Sequence, residues 1–338
     1  MMNRKIVRGT VALGVMIALG AQTALARERQ MTVTMEVNLN APADAKVVRM
    51  WVPYPLSDGD QDITNVKISG NYAATAIHRE PKGENTALFV EWNTPQKDRK
   101  LVYSYHVRRQ DKVMGVLGAA DLPLARAELR SYLEPAPPAG SKTKEQADKI
   151  VKGKKPVLDK ARAIYFWIVE NLPWDPSARA VGAGDAEKAL EKRAGRFADL
   201  TAVFVSLCRA AGVPARERLG VRVPKGASGD MTMSQMGWAE FYLPGVGWVA
   251  VNPGLVARLI HDQKPSDIEI KAFKEYYFGN ADENLVVYGS GREIVLNPPQ
   301  SGKPLAYFVF PYSEADGKTL NDDLAGMNLR YKISFKEE

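Results

Sequence analysis

The sequence is poor in the residues that most often carry chemistry. Its 338 residues include one cysteine and three histidines. A single cysteine excludes a disulfide framework, and the scattered histidines lack metal-ligand spacing, so we expect neither a metal site nor a cofactor. Charge of one sign is not dominant either, since 46 Lys and Arg against 39 Asp and Glu give a net charge of +7. No basic stripe is interleaved with aromatics, which argues against a nucleic-acid partner.

Long apolar runs are also scarce, and the clearest one lies at the start of the chain. Three basic residues precede residues 11–21 (VALGVMIALGA), and Ala24-Leu-Ala26 then supplies small residues at the spacing of a cleavage site. This order is typical of a secretory signal peptide, and the run is shorter than the ~20 residues of a membrane span. We therefore predict a signal peptide over residues 1–26, cleaved after Ala26, and a periplasmic or secreted protein without a membrane span.

Residues 30–135 contain short segments rich in β-branched and aromatic residues, separated by Gly, Pro, Asn and Asp. The segment Met31–Leu39 alternates, with Val33, Met35 and Val37 on one face. Spacing near ten residues favours a β-sandwich, which we assign to residues 27–135. The further predicted strands are Val47–Tyr54, Val66–Ser69, Ala87–Trp92 and Leu101–Val107.

The rest of the chain mixes helical and strand patterns, which makes the fold class α+β. Residues 136–156, rich in Pro, Ala, Gly and Lys, predict a linker with one short helix. We assign a core domain to residues 157–270, beginning with a helical stripe over Leu158–Asn171. In residues 271–338 we predict strands that either complete the core sheet or pack on the β-domain. They are Leu285–Val287, Ala306–Phe310 and Leu329–Phe335.

The most informative segment lies between residues 195 and 253. Gly195-Arg-Phe-Ala-Asp199 precedes an amphipathic helix over Leu200–Ala211, whose apolar residues recur at helical spacing. Gly212-Val-Pro214 ends that helix, and the strand Ala215–Val223 follows. The sequence WAEFYLPGVGWVAVNP, residues 238–253, then predicts a β-hairpin.

In this order the motifs resemble the core of bacterial transglutaminase-like proteins, a branch of the papain-like cysteine-enzyme fold. The helix ending RAAGVPAR (209–216) and the hairpin are specific in combination, and the resemblance covers roughly residues 160–260. It implies helices packed on an antiparallel sheet. In the family, a Cys at the start of a buried helix is the nucleophile. A His on the first hairpin strand takes its proton, and an Asp or Asn on the returning strand orients the imidazole.

The resemblance places the nucleophile position on Phe197, the base position on Met236 and the orienting position on Asn252. Neither Phe nor Met can attack a carbonyl or move a proton, so we predict no catalytic residue and interpret the three as vestigial. Cys208 lies eleven residues after Phe197 on the buried stripe, about 16 Å further along the helix axis. The implied protein is a pseudoenzyme.

A pseudoenzyme of this kind would act as a binding module for a protein, peptide or cell-envelope partner. Phe197 and Met236 either fill the former pocket or line an apolar groove that holds a peptide or acyl chain. The residues expected at the binding site are Trp174, Phe197, Met236, Trp238 and Asn252. Two alternatives are an active acyl-transfer enzyme or amide hydrolase with a non-standard site, and a structural envelope scaffold.

Overall fold

The computed structural model describes residues 27–81, 83–115, 117–118, 122–136, 140–320 and 330–338. The predicted signal peptide over residues 1–26 lies outside this range. Among the described helices, none combines the length and the apolar character needed to cross a membrane.

Two five-stranded sheets form the N-terminal sandwich, and they share one apolar core. One sheet has the strand order β3-β6-β1-β16-β9 and the other the order β15-β14-β2-β5-β4. Four of these strands come from later in the chain, namely β9 (Ser228–Asp230), β14 (Tyr312–Ala315), β15 (Lys318–Thr319) and β16 (Arg330–Glu337). The first seven strands are β1 (Glu28–Asn38), β2 (Val48–Pro53), β3 (Gln61–Gly70), β4 (Ala74–Arg79), β5 (Thr86–Trp92), β6 (Lys100–Gln110) and β7 (Lys112–Val113).

Strand β1 shows why these residues form a sandwich. Met31, Val33, Met35 and Val37 are buried on one face, as the alternation predicts, while the residues between them are more accessible. Antiparallel pairing with β6 and β16 on either side places β1 at the centre of its sheet. The predicted β-rich N-terminal region is confirmed, and β4 is an additional strand that the sequence analysis missed.

The core domain packs helices on a four-stranded antiparallel sheet, ordered β11-β10-β8-β13. Helix α4 is its centre, because twelve of its 14 residues are buried. The helices are α1 (Ser141–Ile150), α2 (Val157–Asn171), α3 (Ala186–Lys192), α4 (Phe197–Ala210), α5 (Pro253–Gln263) and α6 (Asp267–Tyr276). The strands here are β8 (Ala215–Arg222), β9 (Ser228–Asp230), β10 (Gln235–Leu243), β11 (Gly247–Val251), β12 (Asn280–Ala281) and β13 (Leu285–Gly289).

Two faces of the core sheet pack on different partners. Met236 and Trp238 of β10 join the apolar cluster of the sandwich. Ala239 and Phe241, on the opposite face, join a second cluster with α2 and α4. The segment 136–156, predicted as a linker with one short helix, contains α1, whose fully buried Ala147 packs in this second cluster.

The C-terminal segment serves both parts of the molecule. β13 completes the core sheet, whereas β14 (Tyr312–Ala315), β15 (Lys318–Thr319) and β16 (Arg330–Glu337) return to the sandwich. The predicted strand Ala306–Phe310 is wrong, since this segment is irregular although it is largely buried. A short apolar run does not reveal its conformation through periodicity, and the prolines on both sides of it donate no backbone hydrogen bond.

Candidate functional site

The loop after α2 is fixed to the start of α4. Trp174 forms a parallel bridge with Gly195, and the Asp175 N–H donates to the Gly195 carbonyl at 3.0 Å. The guanidinium of Arg196 donates to the carbonyl oxygens of Asp175, Pro176 and Ala180. These contacts hold the Trp174 ring in place beside the first turn of α4.

Asp199 organises the N-terminus of α4 from within. Its carboxylate accepts from the Arg196 N–H at 3.0 Å and from the Gly184 N–H at 2.7 Å. Burial raises the pKa of Asp199, while these N–H donors oppose that shift. The Ala198 N–H donates to the Val181 carbonyl at 2.7 Å. This N–H is one of the free donors of the first helical turn, and it is therefore not available to a bound anion.

Phe197 is the first residue of α4, and it lies in an aromatic and cationic setting. Its ring meets the Trp174 ring edge-on, with centroids 4.9 Å apart. The Arg258 guanidinium stands 5.7 Å from the Phe197 ring centroid and 6.0 Å from that of Trp174. Phe197 is 4% exposed, so its side chain forms the wall of the cleft and does not project into solvent.

Met236 and Asn252 come from the hairpin and from its junction with α5. Met236 is 1% exposed, and Asn252 is 2% exposed. Asn252 is the N-cap of α5, where its Oδ1 accepts from the Leu255 N–H at 3.0 Å. Two residues further on, a Cβ added at Gly254 would lie 3.0 Å from the Phe197 Cα. The start of α5 therefore packs directly against the start of α4.

One polar atom of Asn252 lacks a partner. The amide nitrogen Nδ2 is buried and has no hydrogen-bond acceptor among the described residues. A buried donor left unpaired costs about 1–3 kcal/mol. This orphan donor lies on the residue that follows the returning strand β11.

A cleft with two adjoining lobes opens around Phe197. The lobes have volumes of about 430 Å³ and 360 Å³, within the ~300–1,000 Å³ typical of ligand sites. Both lobes are lined by Phe197, Met233, Gln235, Arg258 and Asp262. The first lobe adds Trp174, Ala178, Arg179, Ala180, Val181, Arg196 and Phe310, and the second adds Arg222, Val223, Pro224, Lys225, Ser234, Met236, Leu255, Leu259, Gln263 and Tyr277.

Of the five residues expected at a binding site, three line this cleft. Trp174 lines the first lobe, Met236 the second and Phe197 both. Trp238 is a core residue, 2% exposed, in the cluster that joins the sheet to the sandwich. Asn252 caps α5 and lines neither lobe.

The remaining candidates for catalysis are dispersed. Cys208 is fully buried, and burial raises the pKa of its thiol well above the ordinary value. His106 contacts Thr64 in the sandwich, and His261 contacts the adjacent Asp262 at 2.8 Å. The described part of the chain contains no cluster of three or more side chains that could hold a metal ion.

Several side chains that line the cleft are not predicted from the sequence. Arg258 lies on α5, which was not predicted, although an N-cap Asn followed by Pro is a helix-start signature. Gln235 begins β10 next to Met236, and Phe310 arrives from the irregular C-terminal segment. No local pattern indicates the position of Phe310, because it reaches the cleft only through the tertiary fold.

This arrangement of helices and sheet agrees with a known family. The model of the transglutaminase-like superfamily matches residues 144–253. A protein of Haemophilus influenzae (strain Rd), described as uncharacterized, is 32% identical over 302 residues, covering 80% of this chain and 82% of that protein. The chain belongs to the transglutaminase-like superfamily.

A solved structure shows the same fold. A candidate cysteine protease from Cytophaga hutchinsonii aligns over 92% of this chain and 98% of that chain, with 16% identity and a TM-score of 0.56. That likeness covers both the sandwich and the core. At this identity it shows the fold alone.

Proposed function

We propose that this chain is an exported, non-catalytic transglutaminase-like protein that binds a protein, peptide or cell-envelope component in the cleft beside Phe197. The observation that carries the proposal is which residues stand at the family's nucleophile and base positions. The family's nucleophile falls on Phe197 and its base on Met236, and both side chains are buried in the wall of one lobe. Neither side chain can supply a nucleophile or transfer a proton.

The surroundings of these positions support the loss of chemistry. Asn252 falls on the orienting position, where its amide oxygen would accept from an imidazole N–H, but its Oδ1 accepts from the Leu255 N–H instead. The Ala198 N–H at the helix terminus is bonded to Val181. The one thiol, Cys208, is buried with a raised pKa, so it supplies no thiolate near neutral pH.

Binding is supported by a cleft that has not closed. Phe197 and Met236 line open lobes in place of a solid core. Met233 stands between the lobes and is 59% exposed, and an exposed methionine suits an adaptable binding surface. The exposed apolar side chain at the cleft also argues against the scaffold alternative, in which the sandwich alone would carry the apolar surface.

The active-enzyme alternative has one observation in its favour. His261 and Asp262 form an imidazole–carboxylate pair at 2.8 Å, and Ser234 lines the same lobe as Asp262. However, His261 lines neither lobe. The hydrogen bonds described for Ser234 are those of its backbone N–H and carbonyl, so a Ser–His pair is not assembled.

Amide hydrolysis and amine incorporation into glutamine peptides test the proposal. The mature protein should give rates equal to the buffer blank, with or without iodoacetamide. The triple variant Phe197→Cys, Met236→His, Asn252→Asp should gain turnover, and iodoacetamide should block it by alkylating the thiol at position 197. Cys208 is too buried to be alkylated, so the block reports on position 197 alone. The matched control carries Phe197→Ser with the same two other substitutions and should remain inactive.

Two outcomes would contradict the proposal. Iodoacetamide-sensitive turnover by the unsubstituted protein would show that a thiol acts in it. Turnover that is resistant to iodoacetamide but abolished by His261→Ala or Ser234→Ala would instead establish the non-standard site.

A further inference from the structure

The cleft has a polar feature that the vestigial positions do not explain. Gln235 is 4% exposed and lines both lobes. Its amide nitrogen Nε2 has no hydrogen-bond partner among the described residues. Buried polar groups are nearly always paired, so an unpaired amide beside an open cleft is available to a ligand oxygen. The terminal torsion of a glutamine is soft, so the amide can turn toward either lobe.

The charge of the cleft is one-sided. Apart from Arg179, four cationic side chains line the two lobes against a single carboxylate, that of Asp262. Asp262 is within 3.2 Å of Arg258, and Arg222 pairs with Asp282 at 2.6 Å. The three described hydrogen bonds of the Arg196 guanidinium all go to neutral carbonyl oxygens, which leave its charge uncompensated.

Lys225 adds a cation at the outer edge of the second lobe. It is exposed, and no ion pair is described for it within the part of the chain that the structure covers. A cleft lined by one sign of charge concentrates ligands of the opposite sign. The charge complementarity therefore selects an anionic occupant.

The apolar wall defines the rest of the ligand. Phe197 and Met233 lie between the two lobes, and Trp174 packs edge-on against Phe197. An extended peptide sends alternate side chains to opposite sides. A chain of alternating acidic and apolar residues can therefore place apolar groups on this wall and carboxylates toward the cationic rim.

We propose that the cleft binds an extended acidic peptide. Its apolar side chain lies on Phe197 and Met233, carboxylates face Arg196 in the first lobe and Lys225 in the second, and a backbone oxygen accepts from the Gln235 amide. This inference rests on the proposed non-catalytic function and names the chemistry of its partner. Gln235 and Lys225 become specificity-determining residues that the family resemblance does not assign.

Fluorescence anisotropy with defined peptides tests the proposal on the full mature chain. The probe is a fluorescein-labelled Glu-Leu-Glu-Leu-Glu-Leu peptide, and the matched peptide carries Gln in place of each Glu. We expect the acidic peptide to bind at least about tenfold more tightly. Its affinity should fall as salt rises from 20 to 500 mM, roughly the range over which screening becomes strong.

Matched substitutions separate the roles of the residues. Gln235→Leu and Lys225→Gln should each weaken binding of the acidic peptide by about three- to tenfold. Gln96→Leu removes another buried amide that lacks a partner, and Lys154→Gln removes another exposed lysine. Both controls lie outside the cleft lining and should leave affinity unchanged.

The result that overturns the inference is distinct from failure of the proposed function. Equal binding of the acidic and Gln peptides, no binding of either, or indifference to Gln235→Leu and Lys225→Gln would refute the acidic-peptide ligand. Binding to phosphatidylglycerol vesicles that these variants abolish, without peptide binding, would identify an anionic lipid surface instead. Thiol-dependent turnover, measured separately, would refute the non-catalytic function whatever the peptide result.

Discussion

Two aspartates beside the start of α4 show how differently the fold treats the same side chain. Asp199 is buried with backbone N–H partners, and burial raises its pKa. Asp175 also experiences a burial effect that raises the pKa, but hydrogen bonds from Lys192 and Ser177 outweigh it and lower the pKa to about 2. The ionised Asp175 therefore contributes to stability, whereas ionisation of Asp199 works against it.

Acid should weaken the loop that carries Trp174. The folded-state pKa of Asp175 lies below the ordinary value for an aspartate, so its stabilisation is present above about pH 4 and is lost as pH falls toward about 2. Asp175→Asn should therefore reduce the pH dependence of the unfolding free energy between pH 4 and 2. Urea titrations at several pH values measure it, with Lys192→Met as a second variant that removes the same ion pair. An unchanged pH dependence in both variants would disprove the assignment.

At the scale of elements, the sequence predicts those that carry strong periodicity. Apolar spacing identifies α4 and alternation identifies β1 and β10, because each buries one face. The observed α4 nevertheless begins at Phe197, three residues before the predicted start, since Asp199 caps it from inside. Helix α5 and its Arg258 are not among the predicted elements, because the family pattern assigns Asn252 an orienting role, whereas the structure shows it as the N-cap of α5.

The loop that contains Gly182 packs against Asp199 in the first turn of α4, and it allows a test of how that helix start is held. Gly182 has φ +98°, and an added Cβ would lie 2.1 Å from Asp199 Oδ2. Gly182→Ala should therefore cost about 1–3 kcal/mol of unfolding free energy for the strained backbone and more for the displaced carboxylate. Gly247 is a matched control, because it has the same φ of +98° and nothing within 4 Å of an added Cβ.

The comparison of the two glycine variants isolates the contact. Gly247→Ala should show the cost of backbone strain alone, so the difference between the variants reports the clash with Asp199. Urea unfolding gives both free energies, and peptide anisotropy shows whether the cleft is disturbed. An equal decrease in the free energy of unfolding in the two variants would mean that the loop moves away from Asp199 without cost and does not define the start of α4.

For the whole molecule, the two predicted domains are less separate than their sequence patterns indicate. The sandwich and one face of the core sheet form one apolar cluster. Arg29 of the sandwich, 7% exposed, donates to Asn284 and to the carbonyl of Pro224 in the core. Sequence patterns show which residues are apolar along each strand, but they do not show that two sheets meet. The core shared by the two sheets, and the contribution of Phe310 to the cleft, can therefore be recognised only in the tertiary structure.

This shared core predicts that the core domain does not fold alone. A fragment of residues 140–290 would expose Met236, Trp238, Leu219 and Val221, which the sandwich covers in the full protein. Each Å² of apolar surface that becomes exposed removes about 25 cal/mol of stabilisation. We therefore expect the fragment to bind the dye ANS, to lose near-UV circular dichroism and to unfold without a cooperative urea transition, as a molten globule does. A chain of residues 27–338 should unfold in one cooperative step under the same conditions. A fragment with a sharp transition and a native near-UV spectrum would show that the sandwich is a separate module. The cleft residues would then owe their positions to the core alone.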